Sequence, residues 1–130
     1  MSKTRARISE KIADAHVIDT HEHTYPHAMI ASKGPTVYDI LEGGYVFWGT
    51  RAPRRDDDRT IVESLRGRSG SAFYKACSIA INDIYHIKID PPSEKALAEA
   101  SERIQKAYRS GTWTRRIFVD RALIDTALLD

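Results

Sequence analysis

Apolar positions recur at steps of three and four from Ser71 onward, where Phe73, Ala76, Cys77, Ala80, Ile81 and Ile84 fall on one stripe. That spacing brings side chains to one face of an α-helix and predicts a helix over 71–87. A second stripe follows in DPPSEKALAEASERIQKAYRSG, with Leu97, Ala100, Ile104, Ala107 and Tyr108 on the apolar face. Ser93 can cap its start and Gly111 can close its end, so a helix is expected over 94–109. Glu99 with Arg103, and Glu102 with Lys106, stand four apart on the opposite side, as ion pairs on a solvated helix face do. A further helical stretch is expected from Thr112 to about Arg121. The closing TALLD then reads as the first half of a buried strand, from about 126 to 130.

Toward the N-terminus, KTRARISEKIAD carries Ile8 and Ile12 on one face among charges, the pattern of a short amphipathic helix over 3–14. It leads into VIDTHEHTYP, whose β-branched start predicts a strand over about 16–21. Side chains alternate along a strand, so Val17, Asp19, His21 and His23 are expected on one face and Ile18, Thr20 and Glu22 on the other. Residues 33–70 are the least regular part, broken by Gly34-Pro35, Gly43-Gly44, Pro53 and the GRSGS stretch, with brief helices expected at TVYDILE and DRTIVESLR. A compact domain usually closes on a completed element and a few polar residues. The halt on an apolar run therefore raises the expectation that this is part of a longer chain.

Composition narrows the field. With 130 residues, 42% of them hydrophobic, the chain suits one globular domain and is too short for two. Twenty Lys and Arg against 18 Asp and Glu leave a net charge of +2, a weak field that gives no reason to expect a nucleic-acid partner. The stretch RAPRRDDDR sets arginines against three adjacent aspartates and reads as a solvated loop. The single cysteine, Cys77, excludes an internal disulfide framework and any four-cysteine zinc site. Lying inside a helical stripe with no histidine beside it, Cys77 reads as a small buried hydrophobe. MSKTRARISEK has a basic head with no apolar stretch behind it, so neither a signal peptide nor a membrane span is expected, and the cytoplasm is the expected location.

The candidate chemistry lies in the two histidines that end the first strand. A random chain with five histidines in 130 positions holds roughly 0.2 His-x-His pairs. Context must therefore carry the argument: an apolar β-branched run precedes the pair, an acid stands two residues before it, and the pair falls at a strand end. Imidazoles about 7 Å apart along a strand can converge on one divalent ion at ~2.0–2.1 Å from each nitrogen. Asp19, on the same face, can orient the neighbouring ring from behind. Competing motifs fail. A His-Glu-x-x-His zinc helix needs histidine where Tyr25 stands, and Pro26 would break the helix. GRSGS ends in serine where a nucleophile elbow needs glycine, and no phosphate-binding Gly-x-x-x-x-Gly-Lys occurs.

Asp19-Thr20-His21-Glu22-His23 after an apolar strand resembles the Asp-x-His-x-His signature at the end of the first barrel strand in the amidohydrolase superfamily. Within it, the chain is similar to the branch of uronate isomerases and the amidohydrolase-related domain, in which a helical insertion separates the first two strands. The resemblance implies an α/β fold: the N-terminal part of a (β/α)₈ TIM barrel, with a helical insertion over about 34–121, mostly helical as it stands. It implies His21 and His23 as ligands of a divalent metal ion, zinc being the expected one. It also implies hydrolysis of a small carbonyl- or carboxylate-containing substrate, with decarboxylation or sugar isomerisation in related branches. Tyr25 and His27 are close enough in sequence to line the substrate pocket. Later strands supply the remaining ligands and the acid–base aspartate in such enzymes, so no catalytic residue is assigned within this chain. His16 and His86 match no motif. The contrasting expectation is a small helical protein-interaction domain whose histidines are incidental.

Two histidines leave an ion with too few protein ligands to hold it in a shaped, dry site. The purified 130-residue chain is therefore expected to show no metal-dependent turnover. Hydrolysis of a carboxylic ester or amide that a chelator abolishes would overturn this.

Overall fold

The computed structural model describes residues 3–22 and 34–129. In chain order these form α1 (Lys3–Ala13), β1 (Val17–Glu22), α2 (Val37–Gly43), α3 (Asp58–Arg68), α4 (Ala72–Tyr85) and α5 (Glu94–Arg109). A single turn, α6 (Trp113–Arg115), then runs on as a π-helix over Arg116–Arg121 and is followed by β2 (Ile124–Leu129).

Short polar side chains set where the helices begin. Thr36 and Asp39 form a reciprocal capping box at α2: the Asp39 amide donates to Thr36 Oγ1 at 3.2 Å, and the Thr36 amide donates to Asp39 Oδ2 at 2.7 Å. Asp57, Ser71 and Ser93 cap α3, α4 and α5 in one direction, accepting from the amides of Thr60, Tyr74 and Ala96. Each such cap satisfies a backbone donor that a helix start otherwise leaves orphaned. At its far end α4 stops on His86, whose left-handed backbone (φ 57°) lets its amide donate to the Asn82 carbonyl.

The core is built around α5, which packs against α2, α3, α4 and α6. Leu97, Ala100 and Ile104 form its buried face, the one expected from the sequence. Leu41, Leu65, Tyr74, Ile81, Ile89 and Ile104 are wholly buried, and each such aliphatic or aromatic side chain stabilises by roughly 1.5–3 kcal/mol. On α4 the buried face differs from the expected stripe. Tyr74, Ser78, Ile81 and Tyr85 point inward, while Phe73, Ala76 and Ala80 are exposed and Cys77 and Ile84 are half-buried. The physical reason is hydrogen bonding: Tyr74 Oη donates to the Ile89 carbonyl at 2.7 Å, Ser78 Oγ donates to the Lys75 carbonyl, and Tyr85 Oη accepts from Trp113 Nε1 at 3.2 Å. With their polar atoms satisfied, these residues fill the core as readily as the aliphatics do.

The breaker-rich stretch after α2 also enters the core. Val46 and Phe47 are buried, the Tyr38 and Phe47 rings stack at 5.5 Å, and Arg68 lies over the Phe47 ring and donates to Thr50 Oγ1. Gly44 lets the chain pass α4: a Cβ there would fall far inside contact distance of Cys77 Sγ and only 3.1 Å from the Ile40 carbonyl oxygen.

Parallel pairing joins β1 to β2, and every described helix from α2 onward, with the π-helix, lies in the connection between them. Val17 stands opposite Ile124, Ile18 opposite Thr126, Asp19 opposite Ala127 and Glu22 opposite Leu129, with irregularities between Val17 and Ile18 and between Asp19 and Glu22. Among the described residues, every buried apolar side chain lies between Val37 and Ile104, so the strands stand outside the helical core. Ile18, at 66% exposure, and Leu128, at 55%, lie open to solvent, as do Ile8 and Ile12 on the apolar face of α1.

Two outcomes follow from the packing. Gly44→Ala should destabilise the fold by about 1–3 kcal/mol through overpacking, and Cys77→Ala should relieve most of that cost in the double variant. Urea denaturation of the four proteins reads the coupling directly; additive losses would show that Gly44 and Cys77 do not compete for one space. The second outcome concerns alkaline pH. Burial pushes the Tyr74 hydroxyl up to about 12, and burial likewise raises Tyr85 and Tyr108. A raised folded-state value means a stability contribution that is complete below the ordinary tyrosine value near 10 and is lost as pH climbs toward 12. Tyrosinate absorbance should therefore rise together with loss of helical circular dichroism. Ionisation of all six tyrosines near pH 10 with the helices intact would contradict it.

Candidate metal site at the end of the first strand

Val17, Ile18 and Thr20 are β-branched and favour the extended backbone that β1 adopts. Pairing begins just ahead of the strands proper, where the Val17 amide donates to the Leu123 carbonyl at 2.8 Å. Leu123 holds a left-handed backbone (φ 53°), an uncommon state for a γ-branched residue that turns the chain from the π-helix into β2. Beside it, His16 Nδ1 lies 2.9 Å from Asp125 Oδ1. Asp125 falls between the pairs Val17–Ile124 and Ile18–Thr126, where the ladder has one residue too many on β2. The unpaired residue thus turns its carboxylate to the imidazole of the residue that precedes β1.

Because the strands are parallel, their C-terminal ends lie on one side of the pair, with Glu22 opposite Leu129. His21 is the penultimate residue of β1 and so belongs to that end. His16 belongs to the opposite end, about 16 Å away along the strand. Asp19, half-buried, sits within β1 opposite Ala127. The irregularity between Asp19 and Glu22 interrupts the strict alternation from which the common face of Asp19 and His21 was expected. His23, Tyr25 and His27 lie outside the described residues.

Among the described residues, no three His, Cys, Asp or Glu side chains converge closely enough to hold a metal ion. A metal centre at this end therefore needs donors beyond them. His86 has a backbone role: it ends α4, and Arg103 Nη1 lies 3.5 Å from its carbonyl oxygen. Most arginines of the basic stretch are paired with carboxylates. Arg54 pairs with Asp56 at 2.9 Å, Arg55 bridges Asp39 and Glu42, Arg59 pairs with Glu63 at 3.2 Å, and Asp57 is taken up as a cap. Burial pushes the Asp39 carboxyl up, but the Thr36 hydrogen bonds and Arg55 outweigh it and hold that carboxyl below its ordinary value. Cys77 is half-buried, and burial pushes its thiol up, away from the reactive thiolate.

Two features carry no signal along the chain. One is the His16–Asp125 pair, whose members are 109 residues apart and carry no local signature. The other is an exposed aromatic patch: the Tyr45 and Trp48 rings meet edge-on at 5.2 Å, and Phe73 at the start of α4 lies 6.3 Å from Tyr45. Trp48 is 73% exposed. A left-handed backbone at Tyr45 (φ 59°) between buried Leu41 and Val46 helps to turn it outward. None of the described helices is long and apolar enough to cross a membrane. Comparison with family models, with curated proteins and with solved structures finds no match to this chain.

Replacing His16 by alanine should speed hydrogen exchange at the Val17 amide by up to about fivefold, in keeping with the ~1 kcal/mol upper range of an exposed pair. Exchange from α5 should not change. An unaltered Val17 rate would mean that the pair does not fasten the strand ends.

Proposed function

We propose that this chain is the N-terminal portion of a metal-dependent amidohydrolase-like enzyme, a hydrolase of small carbonyl- or carboxylate-containing substrates. The reading is carried by one observation: β1 and β2 are adjacent and parallel across a helical crossover, with His21 at the C-terminal end of the pair. Parallel strands joined in this way are the repeating unit of barrel enzymes, which collect their chemistry at that end of the sheet. Ile18 and Leu128, open to solvent, suit the same reading, since parallel sheets ordinarily have both faces covered.

In this reading His21 and His23 would hold a divalent zinc ion through neutral ring nitrogens, and Asp19 would serve to orient one of the rings and fix its tautomer. Bound there, the ion supplies Lewis-acid polarisation of a carbonyl and a more acidic water. Tyr25 and His27 follow the pair closely and would border the substrate. Decarboxylation or sugar isomerisation would draw on the same residues.

A second reading has its own support. The helical core from α2 to α6 buries its apolar residues without help from the strands, and it displays the Tyr45–Trp48–Phe73 patch. That combination suits a helical protein-interaction domain with incidental histidines.

Zinc separates the two. Titrated into the purified chain, zinc should shift the ring resonances of His21 and His23 over one concentration range, and His21→Ala should abolish the shift at His23. Asp19→Asn should weaken binding by about 10–100-fold. In a protein carrying further strand–helix units after this chain, His21→Ala or His23→Ala should lower bound zinc and hydrolytic rate together while the helical core melts as before. Lost stability with zinc content unchanged would overturn the metal reading and favour the interaction domain.

A further inference from the structure

We draw no further inference here: the strongest candidate, the exposed aromatic patch of Tyr45, Trp48 and Phe73 between the loop after α2 and the start of α4, carries nothing because nothing in the structure shows what covers it.

Discussion

Burying the Tyr74 ring obliges the rest of the helical region to arrange itself around one hydroxyl. A buried phenol without a partner costs on the order of 1–3 kcal/mol, and the acceptor of this one is the carbonyl of Ile89, fifteen residues on. For that carbonyl to reach Tyr74, the segment after α4 must fold back along the helix, which the left-handed His86 permits. The return buries Ile87 and Ile89 and brings Ser93 to the start of α5. Lys75 and Asp90 pair across the same fold-back at the surface. The placement of α5, against which the remaining helices pack, thus descends from the accommodation of a single aromatic side chain.

Much of this was legible because period and capping chemistry are local. Ser93, Leu97, Ala100 and Ile104 announce α5 without reference to anything distant, and its bounds agree with the spacing. The inward face of α4 was not legible: Tyr74 and Ser78 count as polar or ambiguous until their partners are known, and the Ile89 carbonyl is invisible to a periodicity argument. Val46 and Phe47 were hidden for a related reason, since glycines on their N-terminal side mark a break in helix without revealing that the break dives into the core. Of the candidate site, β1 and the place of His21 at its end could be read from Val17, Ile18 and Thr20. The irregular register beside Asp19 could not, because it depends on which residues of β2 lie opposite.

Stability and candidate chemistry occupy different parts of the molecule. The helices from α2 onward bury their apolar residues among themselves, whereas the strand pair is held by its ladder, by His16 with Asp125, and by contact of β2 with the π-helix. Substitutions at His21 can therefore be judged on function without the confounding loss of the core. The converse also holds: damage to α5 leaves the local strand signature intact in sequence while removing the frame that brings β2 beside β1.

The π-helix at Arg116–Arg121 adds a constraint of counting rather than of chemistry. Its wider turns, closed by the Ala122 amide on the Ile117 carbonyl five residues back, take up more chain per turn than an α-helix does. Just beyond it the backbone must arrive at Leu123 in the phase that sets Ile124 opposite Val17. Loss or gain of one residue in this stretch, whatever its side chain, would deliver β2 one step out of phase with β1 and change which of its residues stand opposite Val17 and Ile18. The number of residues between Trp113 and Ile124 is in this sense a structural element of its own, tolerant of spelling and intolerant of length.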